Sequence, residues 1–151
     1  MDDQEAMNPE YIILHHSLTS DGDTVSWGAI RRYHVVELGW RDIGYHYGIE
    51  RVNGTYEVLM GRMPTEPGAH CKQSGMNYKS LGVCLIGNFD EAPPTPAQWR
   101  KAVQLVRALM QVHKIPVERV LPHNYLAHYK TCPGKMFDME RFCMALEKGQ
   151  Y

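Results

Sequence analysis

Several features of well-known protein classes are missing from the chain. No run of apolar residues approaches the ~20 that a membrane-spanning helix needs. The sixteen Lys and Arg residues are scattered, and a net charge of −1 offers no basic surface for a nucleic acid. The first ten residues are polar and lack the apolar core of a secretory signal. We therefore expect a protein made in the cytoplasm without a signal peptide, with no membrane insertion and no nucleic-acid partner.

Disulfide patterns are also absent. The chain has four irregularly spaced cysteines with no CxxC pair, at Cys71, Cys84, Cys132 and Cys143. In a reducing compartment such cysteines are more often buried thiols, metal ligands or nucleophiles. Cys84 and Cys143 lie in apolar segments and are expected in the core. Cys132 lies in a Thr-Cys-Pro-Gly turn, which predicts a thiol near the surface.

The distribution of apolar residues predicts one α/β domain, since 151 residues suit a single core. Asn53-Gly54 predicts a hairpin between strands at 45–49 and 55–59. Further strands are predicted at 11–15, 80–89 and 117–121, and long loops at 61–79 and 123–134. Helices are predicted to begin at the N-caps Ser26 and Thr95 and near Asp138. We expect a mixed central β-sheet flanked by about three helices, with 1–10 as a polar tail and 11–151 as the domain.

Three metal-binding residue types fall where a site is expected. His15 and His16 end the first predicted strand, His123 follows the last one, and Cys132 comes nine positions later. Ligand sites in open sheets collect at such strand ends. Two imidazoles and one thiolate can hold zinc and leave a fourth position for water, whose pKa the metal lowers to about 7. On spacing alone, unrelated surface histidines and a free thiol remain the favoured interpretation. Strand alternation sends His15 and His16 to opposite faces, and periodicity does not choose between them.

A series of motifs carries a resemblance to a known family. In chain order they are Leu14-His15-His16-Ser17, residues 39–46 (Gly-Trp-Arg-Asp-Ile-Gly-Tyr-His), Gly68-Ala69-His70, Asn77, Ser80-Leu81-Gly82-Val83, Gly87-Asn88-Phe89, His123, and residues 130–135 (Lys-Thr-Cys-Pro-Gly-Lys). Together they resemble the N-acetylmuramoyl-L-alanine amidases of the phage lysozyme type. That fold is shared with animal peptidoglycan recognition proteins and bacterial muropeptide-recycling amidases. The resemblance extends from about residue 11 to 143.

The resemblance implies roles for seven residues. It assigns the zinc ligands to His15, His123 and Cys132, the catalytic roles to Tyr45 and Lys130, and positions in the substrate groove to His70 and Asn77. Lys130 would stabilise the oxyanion, and Tyr45 would orient the water or carry its proton. His34 and His46 are expected to satisfy buried hydrogen bonds, and the three tryptophans to lie in the core. Many relatives carry an acidic residue two positions after the second histidine ligand, where this chain has Tyr125.

The implied activity is zinc-dependent hydrolysis of the amide between N-acetylmuramic acid and L-alanine in peptidoglycan. The chain would be a monomeric phage endolysin, made in the host cytoplasm and acting on the cell wall after release. One alternative is a non-catalytic module that binds peptidoglycan or inhibits a phage RNA polymerase. Others are a metal-free hydrolase with Cys132 as nucleophile and a cytoplasmic recycling amidase, whose relatives usually have Asp where Cys132 stands.

Overall fold

The computed structural model describes residues 6–18 and 26–149, and their central element is a five-stranded mixed sheet. The strands are β1 (Tyr11–His16), β2 (Tyr47–Val52), β3 (Thr55–Met60), β4 (Ser80–Leu85) and β5 (Val120–Pro122). Their order in the sheet is β3-β2-β4-β1-β5. All neighbouring pairs are parallel except the β2–β3 hairpin at one edge. The expected mixed sheet is confirmed.

Helices cover both faces of this sheet. They are α1 (Trp27–Arg32), α2 (Pro96–His113), α3 (His123–Leu126) and α4 (Met139–Lys148), with a π-helix at Tyr33–Glu37 and 3₁₀ helices at Gln73–Tyr78 and Val117–Arg119. The side chains of Ser26, Thr95 and Asp138 accept hydrogen bonds from the third residue after each and cap α1, α2 and α4, as the sequence predicts. Within the described ranges, no helix combines the length and apolar character needed to cross a membrane.

The two faces of the sheet bury different sets of residues. The main core lies between the sheet and the helices α2 and α4, and it includes Ile12 and Leu14 of β1. Ile13 belongs to a smaller cluster on the opposite face, together with Cys71 and Met76. Because side chains alternate along a strand, His15 follows Ile13 onto the second face and His16 stays on the helical face.

The local predictions hold at the hairpin and fail in part elsewhere. Asn53 and Gly54 have φ of 53° and 86°, the positive values that a two-residue type I′ turn requires. The strand predicted at 117–121 is wrong at its start, because residues 117–119 form a 3₁₀ turn closed by a hydrogen bond from Arg119 N to Pro116 O. The strand predicted at 80–89 ends at Leu85.

Residues 6–10, which belong to the predicted polar tail, pack against the rest of the protein. Met7 is buried in the main core, and its backbone N donates to Thr65 O at 2.7 Å. The backbone N of Glu10 donates to Lys79 O at 2.8 Å. An apolar side chain inside the polar segment therefore anchors it to the domain. Residues 1–5 lie outside the described part of the chain, and the division into tail and domain stays a prediction.

Candidate metal centre and active site

The register of the parallel strands brings His15 and His123 together. Leu14 of β1 lies opposite Pro122, the last residue of β5, so His15 and His123 are the residues that directly follow this pair. Their ring centroids are 4.4 Å apart. On its other side, His15 lies opposite Cys84 of β4. Both histidines thus lie at the carboxyl edge of the sheet, on the face that α2 and α4 leave free.

Cys132 completes this group from the loop between α3 and α4. Its Sγ lies 3.7 Å from Nδ1 of His15 and accepts a hydrogen bond from the backbone N of His16 at 3.3 Å. One potential ligand atom from each of His15, His123 and Cys132 lies within 4.8 Å of the other two. His16 points away, accepts a hydrogen bond from Phe89 N at Nδ1, and stacks on the Phe89 ring. The structure therefore places His15, rather than His16, beside the other two candidate ligands.

The thiol of Cys132 is buried, with 8% of the residue exposed, so the prediction of a near-surface thiol is wrong. The turn folds inward because Gly134 packs on Phe89, where an added Cβ would lie 2.6 Å from the Phe89 Cβ. Asp90 fixes the same loop: it accepts hydrogen bonds from the Thr131 hydroxyl and from Lys135 N, both at 2.9 Å. The bond from Lys135 N lowers the pKa of the Asp90 carboxyl. Sequence reasoning missed Asp90, which is 41 residues from Thr131 in the chain.

Burial leaves the histidines of this cluster uncharged at neutral pH. It lowers the pKa of His15 far below its usual value, and it lowers the pKa of His123 to about 4, with Lys130 acting in the same direction. Burial also raises the pKa of the Cys132 thiol to about 11. Neutral imidazoles are the form that binds a metal, whereas the thiol must lose its proton on binding. The cluster is thus suited to hold a metal and poorly suited to supply a free thiolate.

The donor set fits zinc. His123 Nδ1 is buried without a hydrogen-bond partner among the described residues, as expected of an atom reserved for another ligand. Two nitrogens and one sulfur are common zinc ligands, and three protein ligands leave the fourth tetrahedral position open. Tyr125, which stands where many relatives have an acidic residue, is 61% exposed and supplies no carboxylate to this centre.

Tyr45 lies beside the cluster and is half-buried. Its ring centroid is 5.1 Å from that of His15, and the rings of Trp27 and His34 flank it at 6.2 and 5.9 Å. Burial raises the pKa of Tyr45 well above its usual value, and the neighbouring Cys84 adds to this shift. The phenol therefore remains protonated at neutral pH and can donate a hydrogen bond.

Buried polar contacts hold the segment that carries Tyr45. The Arg62 guanidinium donates to Ile43 O at 2.9 Å and to Pro67 O at 2.8 Å. Nδ1 of His34 accepts from Gly44 N, and Nδ1 of His46 accepts from Gly82 N, both at 3.0 Å. The hydrogen-bonding roles expected of these two histidines are confirmed. Sequence reasoning missed Arg62, since an isolated arginine in a predicted loop carries no signal of burial.

A groove of two connected lobes, with volumes of about 490 and 280 Å³, opens over the cluster. Both lobes are lined by Trp40, Ala69, His70, His123, Tyr129 and Lys130. Trp40 thus lines the groove, with its ring 4.5 Å from that of His34, and the expectation that it lies in the core is wrong. Trp27 and Trp99 are buried as expected. Lys130 is exposed, and its Nζ lies 5.8 Å from the centroid of the Tyr129 ring.

His70 and Asn77 line this groove, and both form hydrogen bonds with other residues of the protein. His70 is buried, and its Nδ1 lies 2.9 Å from Nε2 of His15. Asn77 Oδ1 accepts hydrogen bonds from the backbone N of His70 and of Cys71, both at 2.8 Å. Asn77 thus shapes the turn that holds His70. Contact of either residue with substrate stays a prediction.

Known proteins resemble this chain in sequence and in fold. The family model of the N-acetylmuramoyl-L-alanine amidases matches residues 5–135. The endolysin of Enterobacteria phage T3 is 38% identical over 138 residues, which cover 88% of this chain and 84% of the relative. The solved N-acetylmuramoyl-L-alanine amidase LysC from Clostridium intestinale URNW superposes with a TM-score of 0.79 at 25% identity, covering 100% of this chain and 96% of that one.

Drosophila PGRP-LB, solved as a mutant in complex with tracheal cytotoxin, is a further structural relative. It superposes with a TM-score of 0.74 at 27% identity, covering 91% of this chain and 82% of that one. The family match spans the strands, the Tyr45 segment and the loop of Cys132, so it includes every residue of the proposed centre. The resemblance found in the motifs is confirmed, and the chain belongs to the N-acetylmuramoyl-L-alanine amidase family of enzymes.

Proposed function

We propose that this amidase is a zinc-dependent endolysin that hydrolyses the amide between N-acetylmuramic acid and L-alanine in peptidoglycan. It would act on the host cell wall after release from the cytoplasm. The observation that carries the proposal is the buried group of His15, His123 and Cys132, whose ligand atoms lie within 4.8 Å of one another at the floor of an open groove. Three buried ligands beside an accessible cavity are typical of a catalytic zinc site and not of a closed structural one.

Relatives support the substrate class. The T3 relative is named an endolysin, LysC is named an N-acetylmuramoyl-L-alanine amidase, and the PGRP-LB mutant was solved with tracheal cytotoxin bound. Their fold spans most of this chain, including the strands that border the groove. Peptidoglycan is therefore the substrate that the groove is proposed to bind. Inhibition of a phage RNA polymerase stays a prediction.

Zinc, held by His15, His123 and Cys132, would supply a Lewis acid that lowers the pKa of a water and polarises the amide carbonyl. Lys130 lies on the groove wall two residues from Cys132. Its ammonium can neutralise the negative charge that develops on the carbonyl oxygen when the amide is attacked. A cation placed before the reaction stabilises this charge without the cost of reorganising solvent.

Tyr45 lies beside His15, with the centroids of the two rings 5.1 Å apart. Because burial keeps its phenol protonated, Tyr45 serves as a hydrogen-bond donor and not as a resting general base. It can orient the attacking water or return a proton to the leaving nitrogen. The rings of Trp27 and His34 and the bonds of Arg62 restrict its movement, which supports a role that depends on position.

A metal-free thiol mechanism is less well supported. A cysteine nucleophile requires a thiolate, which forms when a nearby cation or basic histidine lowers the pKa of the thiol. Here burial raises the pKa of Cys132, and the histidine beside it has a strongly lowered pKa. Both shifts disfavour the thiolate–imidazolium pair on which such enzymes depend.

Mass spectrometry of purified peptidoglycan after digestion tests the proposal. Without chelator, we expect free stem peptides that begin with L-alanine. A chelator should abolish them and added zinc should restore them, and His15→Ala should release none under any condition. Cleavage that persists in chelator would establish a metal-free hydrolase. Tight binding to the wall without cleavage would make the chain a recognition module.

A further inference from the structure

A series of hydrogen bonds leads from the proposed ligand His15 through His70 to Ser80 and Met76. Nε2 of His15 lies 2.9 Å from Nδ1 of His70. Nε2 of His70 lies 3.3 Å from Oγ of Ser80 and 3.4 Å from the carbonyl oxygen of the same residue. The Ser80 hydroxyl in turn lies 2.7 Å from Met76 O. The side chains of His15, His70 and Ser80 are all buried, so solvent does not compete for these bonds.

The carbonyl oxygen of Met76, at the end of this series, sets the direction of every hydrogen bond before it. A carbonyl oxygen only accepts, so the Ser80 hydroxyl donates its single proton to Met76 O. Both atoms of Ser80 that face His70 are then acceptors, and Nε2 of His70 must carry the proton. In a neutral imidazole the other nitrogen is a lone-pair acceptor. Nδ1 of His70 therefore accepts from Nε2–H of His15, and Nδ1 of His15 is left as a lone pair facing Cys132.

We propose that His70 is a positioning residue that fixes the tautomer and the ring orientation of the zinc ligand His15. The inference rests on the zinc site of the proposed function. It adds His70 as a residue that is not a ligand but on which zinc binding depends. A histidine ligand is oriented by the group that accepts its other N–H, and loss of that group weakens metal binding. The usual acceptor is a carboxylate, a carbonyl or a water. Here a neutral histidine, itself oriented by Ser80, occupies that position.

The site of the His70 ring is built to hold it in one place. A Cβ added at Gly82 would lie 2.5 Å from the ring, and one added at Gly68 would lie 2.6 Å from it. Glycine at both positions thus makes room for the imidazole between two backbone segments. Asn77 holds the backbone of His70, and the His46 ring packs edge-on at 5.7 Å. The ring has little freedom to turn away from His15.

Two substitutions that match in shape separate this role from simple packing. His70→Asn places an amide oxygen near the position of Nδ1 and keeps an acceptor for His15. His70→Leu has almost the same shape as the Asn variant and offers no acceptor. Zinc affinity is measured by competition between the full chain and a chromophoric chelator. We expect roughly 10–100-fold weaker zinc binding for His70→Leu, with most of the affinity recovered in His70→Asn.

Nitrogen NMR of the ring atoms in the zinc-free protein gives a readout that does not depend on activity. In the unmodified chain, His15 and His70 are both expected to carry the proton on Nε2, and His15 should lose this preference in His70→Leu. A wild-type spectrum with the proton on Nδ1 of His15 would overturn the inference even if His70→Leu failed to fold. So would equal zinc affinities for the Leu and Asn variants.

His15→Ala distinguishes the two levels of the argument. If it weakens zinc binding and His70→Leu does not, the role of His70 is wrong and the metal site stands. If His15→Ala leaves zinc affinity unchanged, the metal site of the proposed function is wrong, and the role of His70 falls with it.

Discussion

His15, His123 and Cys132 are 1%, 6% and 8% exposed, whereas Tyr129 on the groove wall is 74% exposed and Lys130 lies open beside it. Strand register, the Asp90 contacts and the His70 hydrogen bonds fix the buried group. On the rim of the groove, which Tyr129 and Lys130 form, Gln73 Nε2 donates a hydrogen bond to the Tyr129 hydroxyl at 3.3 Å. Burial therefore provides fixed geometry and neutral histidines, whereas the Lys130 side chain lies exposed on the groove wall. Substitutions in the buried group should affect metal binding, and those on the rim should affect turnover alone.

The largest effect is expected from Cys132→Ala, because it removes a proposed ligand. Zinc affinity should fall by more than the roughly 10–100-fold that loss of a residue behind a ligand causes, and hydrolysis of peptidoglycan should drop to background. Chelator competition and release of stem peptides measure the two quantities. Cys143→Ala is the matched control, since Cys143 is a half-buried thiol on α4, remote from the groove. Full activity of Cys132→Ala without zinc would contradict the proposed function.

The sequence predicts the buried group better than it predicts the surroundings. The ends of predicted strands point to His15 and His123, because parallel strands bring their carboxyl ends to one edge. The choice of His15 over His16 needed the family motifs. In the structure His15 lies beside Cys132, whereas His16 contacts Phe89.

Features that depend on contacts distant in sequence escaped prediction. Thr-Cys-Pro-Gly is a surface-turn composition, and contacts with residues distant in sequence, among them His16, Phe89 and Asp90, draw Cys132 inward. Trp40 is expected in the core because tryptophan is a large apolar residue, yet the loop that carries it borders the groove. The bond between His70 and His15 joins residues 55 positions apart, which no local pattern encodes. Local periodicity specifies strands and helices. The contacts of Asp90, Phe89 and His70 depend instead on how the loops pack against the sheet, which local periodicity does not encode.

A smaller effect, confined to turnover, is expected from Lys130→Ala. Removal of one group that stabilises the oxyanion costs about 10²–10³-fold in turnover. Zinc affinity should stay close to that of the unmodified chain, because Lys130 is exposed and is not one of the three candidate ligands. Rates of stem-peptide release at saturating zinc, together with chelator competition, measure both. Lys135→Ala is the control, since it removes an exposed lysine side chain near the same loop and keeps the backbone hydrogen bond to Asp90. A loss of zinc affinity as large as that of Cys132→Ala would mean that Lys130 is needed for metal binding. The distinction between a buried group that binds zinc and a rim that affects turnover would then be wrong.

The smallest effect concerns the stability of the zinc-free protein in acid. Burial lowers the pKa of His123 from 6.5 to about 4, so between these values the unfolded chain binds a proton that the folded chain does not. Stability is therefore complete above pH 6.5 and falls as the pH decreases toward 4, by on the order of 3 kcal/mol from this residue. His15 and His70 shift in the same direction and steepen the fall. Urea unfolding at several pH values measures it, and His123→Asn should flatten the slope across this window. An unchanged slope in that variant would mean that His123 is accessible to protons in the folded state, and that the contrast between buried group and rim is weaker than their exposures indicate.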